Sequence, residues 1–271
     1  MKMRVLIMTD MEGVSGIECW EQVTGGHAMY ADARKLYTEE VNAAVRGAAD
    51  AGADEIIVVD CHGAGGPWTF RSLVPEMWDE RAEYVMGSPW GRYTKPLEDG
   101  CDAALFVGMH AMAGTADSVL CHTVSSESWH NLYFNDTLVG ETGINAAICG
   151  HWNCPVVLVT GDEAVCREAK ALLGNGLTTV AVKQGIGRFA ARNIAPKKAR
   201  KLIEDAAYTA LQNLNAVAPY KPAAPTTITV ELSTPDHASR FKGRNVAFVG
   251  SRKVVSRAAD FWTAWDQFGH H

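Results

Sequence analysis

Arg4-Val5-Leu6-Ile7-Met8-Thr9-Asp10-Met11-Glu12-Gly13 decides the fold: an apolar run of strand length ends abruptly in two carboxylates and a glycine. A run so short and so apolar suits a strand buried on both faces, the habit of parallel sheets covered by helices. Downstream, residues 30–51 place Leu36, Val41, Ala44, Val45 and Ala48 at three- and four-residue spacings, an amphipathic helix closed by Ala51-Gly52. A second apolar strand follows at 55–60, Glu55-Ile56-Ile57-Val58-Val59-Asp60. Strand, helix, strand is the signature of a mostly parallel sheet. The pattern continues with strands at 83–87, 103–109 and 155–160, a helix from Asp162 to Leu173 with Asp162 as N-cap, and a strand at 178–183. The expected fold is α/β, a mostly parallel sheet flanked by helices.

Two regions depart from this rhythm. Residues 131–139 read as two short strands about an Asn135-Asp136 turn, a hairpin at a sheet edge, after which Gly140-Glu141 opens a helix. From Pro196 a helix carries Ala199, Leu202, Ile203, Ala206 and Ala210 on one stripe, and a joint containing Pro219, Pro222 and Pro225 follows. Beyond it, 226–232 and 245–250 read as strands and the end as a helix. The expected organisation is a catalytic α/β domain over 1–190 and a smaller C-terminal α+β subdomain over 191–271.

Composition narrows the partners. A chain of 271 residues with 47% hydrophobic side chains buries a core without staples. Its net charge of -6 offers no basic field to a phosphate backbone, so no nucleic acid is expected. No apolar run approaches the ~20 residues of a bilayer span, so no membrane is expected and the location is read as cytoplasmic. Seven cysteines stand singly with no Cys-x-x-Cys pair, which points to reduced thiols rather than a thiolate zinc site. The terminal His270 and His271 are set aside.

The chemistry gathers at strand ends. Asp10 and Glu12 follow the first strand, two residues apart, where an extended chain turns both side chains the same way. Two such carboxylates repel unless a cation sits between them. The second strand delivers His62 after Asp60-Cys61, and the strand Leu105-Phe106-Val107-Gly108-Met109 delivers His110. Open α/β sheets bind ligands outside the carboxyl ends of their strands. Three such ends thus supply two carboxylates and two imidazoles to one edge, a donor set that suits zinc and, less specifically, manganese or iron. More ligands than one tetrahedral ion keeps in a catalytic site point to a metal pair. Glu141, at a helix start, reads equally as a ligand or as a complement to the helix dipole. His130 and His151 read as surface residues, and His237 as a helix cap.

These residues resemble the zinc-dependent D-aminopeptidases of bacterial dipeptide-transport operons. The similarity runs through Asp10-Met11-Glu12-Gly13-Val14-Ser15-Gly16, Asp60-Cys61-His62, Gly108-Met109-His110-Ala111 and Cys121-His122-Thr123. It continues through Asn135-Asp136, Val139-Gly140-Glu141, Asn145-Ala146, Pro155 to Asp162, and Val182-Lys183-Gln184, in order over the first 190 residues or so. The resemblance implies two zinc ions held by Asp10, Glu12, His62, His110 and Glu141, with Asp10 bridging, and His122 as the catalytic histidine, acting as acid or base or as nucleophile. It implies hydrolysis of the N-terminal, D-configured residue of short peptides or amides, with water activated by the metal pair, and a homo-oligomer, a decamer of stacked pentamers. Asn145 and Lys183 are the expected substrate contacts. Met8, Val59 and Cys61 stand where the family favours serine, asparagine and serine, behind the ligands, where they are expected to tune ligand orientation. The rival readings are a metal-dependent amidohydrolase acting on a different amide, and a peptide-binding component of a transport system without turnover.

Overall fold

The computed structural model describes residues 2–89, 91 and 93–269; His270 and His271 lie outside the described residues. In chain order the first half runs β1 (Arg4–Thr9), α1 (Trp20–Val23), α2 (Tyr30–Asp50), β2 (Glu55–Asp60), β3 (Glu83–Val85), α3 (Lys95–Glu98) and β4 (Ala103–Met109). A hairpin, β5 (Trp129–Phe134) and β6 (Thr137–Val139), precedes α4 (Glu141–His151), β7 (Val156–Asp162), α5 (Glu163–Leu173), β8 (Thr178–Gly187) and β9 (Ala190–Asn193). The chain closes with α6 (Pro196–Leu211), β10 (Thr226–Leu232), α7 (Pro235–Ser239), β11 (Ala247–Phe248), β12 (Lys253–Ala258) and α8 (Phe261–Asp266).

Seven strands form one sheet in the order β3-β2-β1-β4-β7-β8-β9, parallel throughout except for the β8/β9 hairpin. The first strand sits between β2 and β4, and its alternation serves both faces. Val5 and Ile7 pack with Val41, Val45, Ile203 and Ala207 of α2 and α6. Leu6 and Met8 face the opposite way, into an apolar cluster that continues through Ile144 and Ile148 of α4 to Leu132, Phe134, Ile228 and Val230. Each such fully buried aliphatic side chain contributes about 1.5–3 kcal/mol. A strand buried on both faces has to be apolar at every position, as residues 5–8 are.

The second sheet is antiparallel, in the order β11-β12-β10-β5-β6. It draws on both sides of residue 190: the 129–139 hairpin, edge-placed as expected, pairs with β10 about ninety residues later in the chain. Residue 190 itself opens β9 of the first sheet, and α6 lies against α2. The structural units are thus two sheets rather than two consecutive segments. The strand expected at 245–250 shortens to Ala247–Phe248, and the longer strand is β12, which sequence reading passed over. Thr234, not His237, caps α7 by accepting from the His237 amide.

Two glycines let β1 and β4 end in contact. The Gly13 amide donates to the Gly108 carbonyl at 2.8 Å, and a Cβ on Gly13 would lie 1.9 Å from the Met109 carbonyl oxygen. Gly108 has φ of 75°, and a Cβ there would lie 2.0 Å from the Asp10 carbonyl oxygen. Gly13→Ala must therefore push the two strand ends apart. We expect it to cost about 1–3 kcal/mol, the usual range for overpacking, read as a lowered urea midpoint. An unchanged midpoint would show that this approach is not needed.

Candidate metal centre

Three neighbouring strands, β2, β1 and β4, end side by side, and each is followed within one to three residues by a ligand candidate. Asp10 and Glu12 follow Thr9, His62 follows Asp60, and His110 follows Met109. The carboxylates do converge, but through a turn: residues 11–13 are not extended, and Met11 is fully buried between them. Glu141 is the first residue of α4, and His122 comes from the loop between β4 and β5.

The side chains meet in two overlapping groups. Nδ1 of His62 lies 3.1 Å from Asp10 Oδ1 and 3.1 Å from Glu12 Oε2. Nε2 of His110 lies 3.2 Å from Asp10 Oδ2 and 3.4 Å from Glu141 Oε1, and Nε2 of His122 lies 3.5 Å from the same Glu141 oxygen. Asp10 thus faces both groups, one oxygen to each. The rings of His110 and His122 stack with centroids 4.0 Å apart.

The outward nitrogens bear on what this arrangement could hold. The far nitrogen of each imidazole meets a backbone carbonyl: His62 Nε2 and Val23 at 2.7 Å, His110 Nδ1 and Ala111 at 3.0 Å, His122 Nδ1 and Leu120 at 2.9 Å. Each ring therefore donates outward, and the inward nitrogen of the neutral ring presents a lone pair to carboxylate oxygens. Asp10 Oδ2, Glu12 Oε2 and His110 Nε2 are buried with no hydrogen-bond partner. Lone pairs facing lone pairs in a buried site are favourable only around a cation. Two donors about 2.1 Å from one tetrahedral zinc stand about 3.4 Å apart. The observed contacts of 3.1–3.5 Å fit that spacing.

Without a metal, protons on the imidazoles balance the same carboxylates instead. Burial disfavours charge on His62 and His110, yet Glu12 and Asp10 around the first, and Glu141 and Asp10 around the second, raise both imidazoles well above their usual range. Burial also opposes charge on Asp10 and Glu141. His110 and His62 nevertheless hold Asp10 well below the usual carboxylate range, and His110 with His122 lowers Glu141.

Asp10, Glu12, His62 and Glu141 line a cavity of about 350 Å³ together with Gly63, Thr69, Phe70, His122 and Val124. Sequence reading missed the last loop: the Val124 amide donates to Glu141 Oε1 at 2.7 Å, from a backbone at φ of 61° that valine rarely adopts. It also missed the supports. Asp60 accepts from the Tyr37 hydroxyl and from the amides of His62, Ser72 and Leu73. Asp162, besides capping α5 as expected, accepts from Ser118 Oγ and the Val119 amide, steadying the loop that carries His122. Trp20 meets the His122 ring edge-on at 5.6 Å.

Three sequence expectations change. Met8 and Val59 are buried in the apolar cluster, Met8 against the Cys149 thiol at 3.7 Å, so they pack the sheet rather than touch the ligands. Cys61 lines the cavity, but burial pushes its thiol well above the usual range, which leaves it unreactive. Neither expected substrate contact lines the cavity. Asn145 is buried on α4 one turn beyond Glu141, its Oδ1 without a hydrogen-bond partner. The Lys183 ammonium donates to the carbonyls of Glu12, Val14 and Ile17 at 2.6, 2.9 and 2.5 Å. All three of its hydrogens are thereby engaged, and burial lowers it to about 8.

Behind Glu141, Glu168 of α5 accepts the Met112 amide at 2.8 Å while its other oxygen is buried without a partner. Burial pushes this carboxyl up to about 7. An unfolded chain releases that proton near 4.5, so between the two values only the folded state holds it, and stability falls as pH rises. The difference amounts to about 3 kcal/mol. In metal-free protein, Glu168→Gln should lose less stability than wild type between pH 5 and 8, by roughly 5 °C or more in melting midpoint. Parallel pH profiles for the two proteins would refute this.

The comparisons with known proteins bear on the family and the fold. The D-aminopeptidase family M55 matches residues 3–269. The D-aminopeptidase of Bacillus subtilis (strain 168) is 34% identical over 268 residues, covering 97% of this chain and 94% of its own. A solved structure, the Zn-dependent D-aminopeptidase DppA from Bacillus subtilis, a self-compartmentalizing protease, superposes with a TM-score of 0.89 at 30% identity. The match spans 98% of this chain and 95% of that one. With the family matched almost end to end and the fold shared, the chain belongs to the D-aminopeptidase family of peptidases.

Proposed function

We propose that the chain is a dinuclear zinc enzyme that removes the N-terminal, D-configured residue from short peptides or amino-acid amides. The observation that carries the metal pair is the set of inward-facing imidazole nitrogens and partnerless carboxylate oxygens shared through Asp10. Asp10, Glu12 and His62 would hold one ion, and Asp10, His110 and Glu141 the other. Bound there, zinc would supply Lewis acidity toward the scissile carbonyl and a water ionised near neutral pH.

The chain's own residues supply the rest. His122 stands at the cavity wall, more exposed than His110, with its Nδ1 committed to the Leu120 carbonyl. Its Nε2 is therefore the atom that takes a proton from the attacking water and returns it to the leaving amine. The Val124 amide fixes the Glu141 oxygen that both His110 and His122 face. A cavity of about 350 Å³ holds the end of a short peptide rather than a folded chain.

Self-association into a closed homo-oligomer, a decamer, belongs to the same proposal, supported by likeness to a self-compartmentalizing relative. So does a cytoplasmic location: all seven cysteines are free, as a reducing compartment keeps them, and no described helix is long and apolar enough to cross a membrane. The test is a panel of D-Ala and L-Ala dipeptides and amides, assayed with and without chelator. Chelator-sensitive release of the D-residue is expected. Turnover of L-substrates alone would move the enzyme to a different amide, and tight binding without product would make it a binding protein.

A further inference from the structure

The segment 12–17 carries Glu12 yet has no regular structure, so something other than a ladder must fix it. Its backbone is held from several sides. The Gly13 amide donates to Gly108, the Ser15 amide to Glu40 Oε1 at 3.0 Å, and the Gly16 amide to Asn193 Oδ1 at 2.9 Å. On the acceptor side, Lys183 gathers the carbonyls of Glu12, Val14 and Ile17 onto one nitrogen, reaching across from β8.

We infer that Lys183 is a positioning residue for one half of the metal site: by holding three carbonyls of the 12–17 loop at a single point, it sets where Glu12 places its carboxylate beside His62. This inference rests on the two-zinc reading above. Lysine suits the task because an ammonium offers three hydrogens from one atom, whereas a guanidinium fork spreads its donors in a plane. Lys183 is 2% exposed, so its ammonium is held away from bulk water. Removing the donors would leave the Glu12 and Ile17 carbonyls to find new partners, the Val14 carbonyl keeping only the Ile17 amide at 3.2 Å, and the loop would move to find them. His110 and Glu141 stand outside the 12–17 segment, and among the described residues neither is a hydrogen-bond partner of Lys183.

The experiment is a zinc titration of chelator-stripped wild type and Lys183→Met, with circular dichroism to confirm folding and steady-state kinetics on a D-Ala amide. One of the two ions is expected to bind at least tenfold more weakly in Lys183→Met while the other is unchanged, with kcat reduced and KM close to wild type. Wild-type binding of both ions would overturn the inference. Equal weakening of both ions would too, and so would a raised KM with kcat retained, the mark of direct substrate contact. Should Lys183→Met not fold, Lys183→Arg is read in the same titration; it keeps the charge but not the three-hydrogen point, so the same one-ion loss is expected. Two ions bound normally by the Arg variant, or failure of both variants to fold, would reject the positioning role. Fewer than two ions in wild type defeats the two-zinc reading and the clamp with it, whereas two in both proteins defeats the clamp alone.

Discussion

His122→Ala is expected to retain both zinc ions and to lose at least about a hundredfold in kcat, the scale of a missing acid–base group. The geometry frames the question sharply. His122 Nε2 lies 3.5 Å from Glu141 and its ring stacks on His110, so His110, His122 and Glu141 could by position alone hold an ion together. Asp10, however, already offers its Oδ2 to His110 at 3.2 Å, giving that ion a third donor without His122. His122 is also the most exposed of the three histidines, at 13% of its side chain against 1% for His110, where a proton carrier has to meet water. Zinc analysis and kinetics on the same preparation separate the roles. Loss of an ion would make His122 a ligand, and full activity would remove it from the chemistry.

Asp10→Asn should have the larger effect. The amide keeps the shape but removes the one anion that faces both His62 and His110. With the shared carboxylate gone, zinc content is expected to fall to one ion per chain or fewer. Lewis-acid stabilisation worth several kcal/mol goes with it, so activity should drop on the order of a thousandfold or more. The metal-free variant should be less stable than metal-free wild type at neutral pH, because the carboxylate that His110 and His62 hold well below its usual range is lost and both buried imidazoles lose a partner. Retained zinc and activity within tenfold of wild type would show that Asp10 bridges nothing.

How far the sequence carried these conclusions depends on where the information lay. The strands at 4–9, 55–60 and 103–109 were legible because burial on both faces demands an unbroken apolar run, and their candidate ligands because polar groups stood right at the ends of those runs. Their adjacency in the sheet, which makes one site of three ends, is a long-range pairing that no local pattern encodes. The same blindness hid the partnership of the 129–139 hairpin with β10. Strand β12 escaped because Lys253 and Arg257 interrupt its apolar character, only alternate positions such as Val254 and Ser256 being buried. The place of Lys183 was not legible because its partners are backbone carbonyls, which carry no residue identity into the sequence. Asp10 and Glu12 were paired correctly for an incomplete reason: they converge through a turn held by Gly13, Gly108 and Lys183, not along an extended strand.

The two-ion site is tested most directly by counting metal. Chelator-stripped protein reconstituted with excess zinc and passed over a desalting column should contain two zinc ions per chain by elemental analysis. One ion or fewer per chain, in folded and active protein, would contradict the shared role of Asp10 and with it the dinuclear centre.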